Sequence, residues 1–156
     1  MILKRKNKTN NTIAQLEVLV NCPIEFLLAT AYNKENSSRN ISMKLTYTMK
    51  IDAPITLAFS CVNDPDSIKK WMHGVESFEY LSPVNKENPV GSKFKQKIRE
   101  GGQIKSYEGE VIAYEKPKYL AVMIHDTMFL VTAHYRFSEQ EDGCKLDYEA
   151  DLEFHH

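Results

Sequence analysis

The stretch from Met43 to Trp71 constrains the fold of this chain more than any other part of its sequence. Its first run, KLTYTMKI (44–51), has an apolar side chain at every second position, the pattern of a strand with one buried face. DAP (52–54) ends that strand, and ITLAFSCV (55–62) continues as a short helix with proline at its first position. Asp64 is placed to cap a second short helix, 65–72. One strand followed by two short helices is therefore predicted.

Six further alternating or apolar runs follow these helices, and turn residues separate them. Gly-Gly at 101–102 and Asp-Gly at 142–143 each join two runs, which is a strong hairpin signal. The run 118–125 is nearly all apolar, so we expect a central strand or one under the helices. The predicted strands are 75–84, 92–100, 104–114, 118–125, 128–138 and 144–154. The fold class is therefore α+β, a curved antiparallel sheet of about seven strands with two short helices after the first strand.

Composition and charge exclude several classes of protein. The 156 residues predict one domain, and the net charge of −1 gives no reason to expect binding to nucleic acid or to an anionic membrane. No apolar run approaches the ~20 residues that a membrane span needs. The three cysteines show no metal-type spacing, and we expect reduced thiols in a cytoplasmic protein. In a signal peptide an apolar stretch directly follows the basic residues, but here the polar run NKTNNT (7–12) separates the two, so no export signal is expected.

The first 42 residues differ in character from the rest. They carry six Lys/Arg and three Asp/Glu, a net +3, whereas residues 43–156 carry 14 basic and 18 acidic residues, a net −4. NKENSSRNIS (33–42) has the composition of a solvated linker. We therefore expect an N-terminal extension over 1–42, disordered or foreign to the fold, and a domain over 43–156. The apolar part of 13–32 can form a strand or a helical turn, followed by a two-turn helix over 24–32.

Several short motifs of the second part resemble those of the START-like (SRPBCC) superfamily. They are IDAP (51–54), DP (64–65) with Trp71, PVGSKF (89–94), EKP (115–117) with Leu120, and GCKL (143–146). This superfamily includes polyketide cyclase/dehydrase-like proteins, lipid-transfer START domains and the birch pollen allergen type. The resemblance covers 43–154 and implies the helix-grip fold with a hydrophobic ligand cavity.

The resemblance also implies a long helix after the last strand, lying across the concave face of the sheet. The sequence ends where that helix is expected to begin, so we expect either a truncated chain or another element over the face, with the apolar part of 13–32 as the internal candidate. Without a cover, the inward row of Phe94, Val111, Tyr148 and Leu152 would be exposed to water, which predicts self-association.

The sequence shows no recognisable catalytic or metal-binding set. His73, His125 and His134 have no partner at helical metal-ligand spacing, and there is no H-E-x-x-H motif. Cys61 lies on an apolar helix face and is expected to be a packed thiol. We therefore expect no metal and no cofactor, and the catalytic residues, if there are any, stay unknown.

What remains is an apolar concave face with a few polar groups, the usual character of a small-molecule site. Alternation places Tyr107, Gly109, Val111 and Ala113 together on that face, and Gln96 is its one inward amide. The ligand-cavity candidates are Trp71, Phe94, Gln96, Tyr107, Val111, His125, Tyr148 and Leu152. The expected function is binding or transport of a small hydrophobic ligand, lipid or aromatic. The alternatives are a cyclase/dehydrase-type enzyme and a protein-interaction or chaperone-cofactor module.

Overall fold

The computed structural model describes residues 12–16, 41–72 and 74–155. The predicted helix over 24–32 and most of the predicted linker lie outside these ranges. The strands are β1 (Ile41–Ile51), β2 (Val75–Tyr80), β3 (Lys93–Glu100), β4 (Gln103–Glu115), β5 (Tyr119–His125), β6 (Phe129–Gln140) and β7 (Gly143–Phe154). The helices between β1 and β2 are α1 (Ile55–Asn63) and α2 (Pro65–Trp71), and residues 12–16 form an N-terminal helical segment.

The seven strands form one antiparallel sheet in the order β1-β7-β6-β5-β4-β3-β2. The α+β prediction is therefore confirmed, and the apolar run 118–125 does form the central strand, β5. The first strand pairs with the last over its full length, from Ile41 opposite Phe154 to Ile51 opposite Cys144. β1 thus begins two residues before the predicted domain start, because β7 offers partners to that point. The strand predicted over 75–84 ends at Tyr80, before the exposed residues 81–83.

Two side-chain hydrogen bonds stabilise the junction of α1 and α2, where Pro65 cannot donate a backbone hydrogen bond. The Asp64 carboxylate accepts a hydrogen bond from the Ser67 backbone N–H at 3.1 Å, which confirms the predicted cap of α2. The Cys61 carbonyl, in the last turn of α1, cannot bond to the residue four positions on because Pro65 has no N–H. The indole N–H of Trp71 donates to that carbonyl instead, at 2.9 Å. Trp71 is therefore buried where the helices meet.

Alternation fails at one point in β4. The register between β4 and β5 shifts between Val111 and Ala113. Ala113, predicted to face inward, pairs with Ala121 on the outer face, whereas Tyr114 turns inward and lies edge-on to Phe59 at 5.6 Å. A bulge inserts one extra residue on one strand and so exchanges the two faces beyond it, which a period-two reading cannot anticipate.

The concave face of the sheet carries two apolar clusters. The helix cluster packs α1 and α2 against one end of the sheet and includes Ile13 and Leu16 of the N-terminal segment. Gln15 in that segment accepts a hydrogen bond from the Asp52 backbone N–H at 3.1 Å. The strand cluster, at the other end, is built from buried residues of β4, β6 and β7: Tyr107, Phe129, Val131, Ala150 and Leu152. Tyr148 contacts both clusters.

Outside β5, the outer face is largely polar and charged, as the alternation predicts. Lys95 and Glu108, directly paired across β3 and β4, lie 3.8 Å apart, and Arg99 binds Glu76 at 2.7 Å. Such exposed pairs stabilise the sheet by no more than about 1 kcal/mol each. Among the described helices, none is long and apolar enough to cross a membrane.

Candidate ligand-binding site

Six of the eight predicted cavity residues lie on the concave face, because the register of the strands brings them there. Gln96 pairs directly with Tyr107, Phe94 pairs with Gly109, and Val111 pairs with Val122. Tyr148 and Leu152 continue the same face on β7. Directly paired residues of antiparallel strands share a face, so these residues lie on one surface. It extends from the helix cluster, which includes Val111, to the strand cluster, which includes Tyr107 and Leu152.

The other two predicted residues lie elsewhere. Trp71 is part of the helix cluster, with its ring edge-on to Tyr135 at 6.5 Å, and its side chain is buried between the two helices and the sheet. His125 was expected to line the cavity, but it lies on the outer face, exposed, because its neighbour Ile124 points inward opposite Val131. In an almost wholly apolar run, the sequence does not show which alternate positions face the helices.

An aromatic corner of three side chains borders the site at the β2 edge. Phe78 stacks on Phe94 with ring centroids 4.7 Å apart, and Tyr80 meets both rings edge-on, at 5.6 and 6.5 Å. Phe94 occupies the space above Gly109 that any side chain there would fill. Phe78 and Tyr80 were absent from the predicted set, although their alternation in β2 already placed both on one face.

Gln96 is the one buried polar side chain on the described strands, with 4% of its surface exposed. Its amide nitrogen donates to the Met72 sulfur at 3.4 Å, the one hydrogen bond that the described residues provide for this side chain. A thioether sulfur is a weak acceptor. Because a buried amide is costly without good partners, Gln96 has more hydrogen-bonding capacity than its neighbours use.

Two tyrosines lie side by side on the concave face of β6 and β7. Tyr135 and Tyr148 pair across β6 and β7 with ring centroids 5.1 Å apart, and Tyr47 of β1 pairs with Tyr148 in the same row. Burial raises the pKa of Tyr135 well above its usual range, and the adjacent Tyr148 raises it further. Tyr135 therefore stays protonated at neutral pH. It was missed in the sequence, where it reads as one of many inward aromatic residues.

Tyr107 is engaged at the rim of the site. Its hydroxyl donates to the Glu100 carboxylate at 3.1 and 3.3 Å, and Lys105 binds the same carboxylate at 3.1 Å. Burial raises the Tyr107 pKa, and the negative charge of Glu100 raises it further. A tyrosine held neutral in this way can donate a hydrogen bond but is a poor general base at neutral pH.

The thiols of the described residues are not activated. Cys61 and Cys144 are both buried and free. Burial raises the pKa of each thiol, and the nearby Asp64 raises that of Cys61 further. The thiolate is the nucleophilic form, so the expectation that Cys61 packs in the core fits its surroundings.

The inward row, which was expected to face water only if nothing covered it, is largely buried. Phe94, Val111 and Leu152 are exposed by 1%, 2% and 0%, and Tyr148 is half-buried. The reason for expecting self-association through this face therefore does not hold for three of the four residues.

A second concavity lies away from this surface, at the start of α1. It is an open cleft of about 590 Å³ lined by residues 52–56 and 139–143. Exposed acids such as Asp52, Glu139 and Asp142 dominate its side chains. Ala53, Pro54 and Ile55 are its apolar residues, a smaller share than the mostly apolar lining of usual small-molecule sites.

The sequence identifies the class of protein to which this fold and surface belong. Residues 42–155 match the family described as polyketide cyclase / dehydrase and lipid transport. The chain belongs to this family, within the START-like (SRPBCC) superfamily, and the resemblance read from its motifs is confirmed. No curated protein matches the sequence.

Solved structures show the same fold at low sequence identity. Ara h 8.0201 is 15% identical over 74% of this chain and 78% of its own, with a TM-score of 0.60. The protein of unknown function SA2116 from Staphylococcus aureus is 13% identical over 77% and 75%, with a TM-score of 0.63. The di-domain ARO/CYC BexL from the BE-7585A biosynthetic pathway is 17% identical over 91% of this chain and 47% of its own, with a TM-score of 0.61.

Proposed function

We propose that this protein binds a small hydrophobic ligand, aromatic and bearing at least one hydroxyl or carbonyl group, against the concave face of its sheet. The observation that carries the proposal is Gln96, a buried amide among apolar side chains whose described partner is only a thioether. A ligand oxygen would be a far better acceptor than the Met72 sulfur. The family to which the chain belongs supports the ligand class.

The surroundings of Gln96 favour a flat ligand. Phe78 pairs directly with Gln96 and stacks on Phe94, and the tilted pair of Tyr135 and Tyr148 stands on the same face of β6 and β7. Aromatic rings gain about 0.5–1.5 kcal/mol from stacked or edge-on contacts beyond the area that they bury. A cytoplasmic location belongs to the same proposal, supported by the reduced thiols expected from the sequence.

Binding competition with a matched pair of ligands tests the proposal. The neutral fluorescent probe N-phenyl-1-naphthylamine is bound to the full chain and displaced with 2-hydroxyanthracene or with anthracene. We expect the hydroxylated compound to bind more tightly than anthracene. Gln96→Leu should lower the ratio of the two affinities by about 2- to 10-fold, which corresponds to the net free energy of one hydrogen bond.

Gln103→Leu is the control, because Gln103 is an exposed glutamine on the neighbouring strand. It should leave both affinities unchanged. A chain that takes up neither the probe nor either compound would refute the proposal. Equal effects of the two glutamine substitutions would show that Gln96 does not contact the ligand.

A second candidate function is a cyclase/dehydrase-type reaction, in which the surface folds a reactive chain. The family and the buried Tyr135, whose pKa is raised by burial, favour it, since a neutral tyrosine can donate a proton or a hydrogen bond to an enolate-like oxygen. Two structural neighbours are di-domain ARO/CYC proteins of biosynthetic pathways. Turnover of a poly-β-keto thioester that Tyr148→Phe abolishes while probe binding is kept would favour the enzyme. Unchanged turnover would exclude that residue.

A protein-interaction or chaperone-cofactor role is the remaining alternative. This role would be indicated by a protein partner that binds in fixed stoichiometry, still binds the Gln96→Leu chain and is not displaced by either anthracene compound.

A further inference from the structure

Three titratable side chains converge on the outer face of the sheet, away from the proposed ligand surface. His134 of β6 pairs directly with Glu149 of β7, and Asp151 follows two positions along β7 on the same face. One donor atom from each residue lies within 4.8 Å of the other two. The imidazole Nε2 is 3.7 Å from Oδ2 of Asp151.

The imidazole is held in one orientation by its other nitrogen. Nδ1 of His134 lies 2.7 Å from the Tyr119 hydroxyl, and the two rings stack with centroids 6.0 Å apart. The guanidinium of Arg136 lies 4.8 Å from the centre of the Tyr119 ring on the same face. A hydrogen-bonded second nitrogen is the usual way in which proteins orient a metal-binding histidine. Nε2 is thereby left for the carboxylates.

The three side chains are partly withdrawn from water. The exposed fractions are 16% for His134, 29% for Glu149 and 34% for Asp151. Both carboxylates form an ion pair with Lys44, whose Nζ lies 3.4 Å from Glu149 and 3.7 Å from Asp151. Lys44 is 59% exposed, and surface pairs of this kind are worth at most about 1 kcal/mol. A divalent ion could therefore displace the lysine at little cost.

We propose that His134, Glu149 and Asp151 form a three-ligand site for a divalent first-row transition ion of the Zn²⁺ type. Two ligands on a tetrahedral ion with bonds of ~2.1 Å lie ~3.4 Å apart, close to the 3.7 Å already present between His134 and Asp151. One imidazole nitrogen with two carboxylates suits zinc and its neighbours rather than Mg²⁺ or Ca²⁺, which prefer oxygen ligands.

This site was not expected from the sequence, where the spacing of the histidines predicted no metal. The ligands lie on two strands, so their proximity comes from the register of β6 and β7 and not from any local spacing. Because the folded sheet assembles the site and the unfolded chain does not, the ion would stabilise the pairing of these strands.

Calorimetric titration of the full chain with ZnCl₂ tests the proposal. Adjacent His155 and His156 could bind metal independently, so the parent for this experiment carries His155→Gln and His156→Gln. We expect one Zn²⁺ per chain, with MgCl₂ giving no signal. His134→Gln and Glu149→Gln should each weaken binding at least 10-fold, and Tyr119→Phe should weaken it about 10-fold or more through the imidazole orientation.

Two controls separate the site from unspecific binding. His125→Gln changes an exposed histidine on the same outer face and should leave the affinity unchanged. Lys44→Gln removes the competing cation and should tighten binding several-fold. Absorption of bound Co²⁺ in the visible range, lost in the His134→Gln chain, would give an independent sign of a nitrogen ligand.

The proposal is overturned by the absence of binding up to about 1 mM Zn²⁺, or by equal affinities of the parent and the His134→Gln chain. Melting temperatures without metal identify a variant that fails to fold. The two ligand substitutions lie on different strands, so either one alone keeps the test valid.

Discussion

Gly109 is the position where the concave face is most sensitive to one added atom. The residue lies at the middle of β4, with Phe94 of β3 directly opposite. A Cβ atom built on Gly109 would lie 2.7 Å from Cε2 of Phe94 and 2.7 Å from the Met123 carbonyl oxygen, where ordinary contacts begin at 3.4 Å. Both groups would have to move by several tenths of an ångström after Gly109→Ala.

The cost of this movement follows from what surrounds the ring. Phe94 is fully buried and stacks on Phe78, so displacing it disturbs the aromatic corner as well as the pairing of β3 with β4. Overpacking of a well-packed core costs about 1–3 kcal/mol. Since the Met123 oxygen belongs to the backbone of the central strand and cannot rotate away, we expect the upper half of this range.

A double-mutant cycle measures the contact. Urea unfolding of the parent, Gly109→Ala, Phe94→Leu and the double variant is followed by Trp71 fluorescence, which reports on the helix junction. We expect the double variant to be less destabilised than the sum of the single variants by about 0.5–2 kcal/mol, because leucine vacates part of the space. Additive costs, or a Gly109→Ala chain as stable as the parent, would refute the packing argument.

Three further predictions concern stability. Asp64→Ala removes the cap of α2 and should lower the free energy of unfolding by about 0.5–2 kcal/mol, more than Asp66→Ala in the same turn, as measured by urea unfolding. Trp71→Phe leaves the Cys61 carbonyl without its donor and should cost at least about 1–3 kcal/mol, measured by circular dichroism during heating or urea unfolding. The raised pKa of Tyr107 contributes stability that is complete below the usual tyrosine pKa of about 10 and is lost as the pH rises above it. Tyr107→Phe should therefore reduce the loss of stability between pH 9 and 11, and an unchanged alkaline slope would contradict this.

Much of the sheet could be predicted because one face of nearly every strand is buried. A half-buried strand requires an apolar residue at every second position, so its sequence alternates. β7 shows this alternation most clearly, with Leu146, Ala150 and Leu152 buried on one face. The Asp64 cap and the hairpin at 101–102 were predictable for a different reason, since their chemistry is local.

The parts that were not predictable depend on contacts between distant residues. Beyond the bulge at Val111, Tyr114 faces inward in place of Ala113, and no residue in that run indicates a bulge. His125 was misplaced because its strand is apolar on both faces. The grouping of His134 with Glu149 depends on strand register, which local patterns do not encode.

If the concave face binds the ligand that we propose, the charges of that face restrict the ligand further than the apolar character of the face does. On the described strands, inward charged side chains stand only at the rims, Glu100 with Lys105 at one end and Glu139 at the other. The central polar groups are neutral: the Gln96 amide and tyrosines such as Tyr135, whose pKa is raised by burial. An unpaired buried charge costs far more than a hydrogen-bonded neutral group. A neutral ligand is therefore expected, and 2-hydroxyanthracene should displace the fluorescent probe at lower concentration than anthracene-2-carboxylate at pH 7. The reverse order would mean that a cation from outside these strands reaches the site.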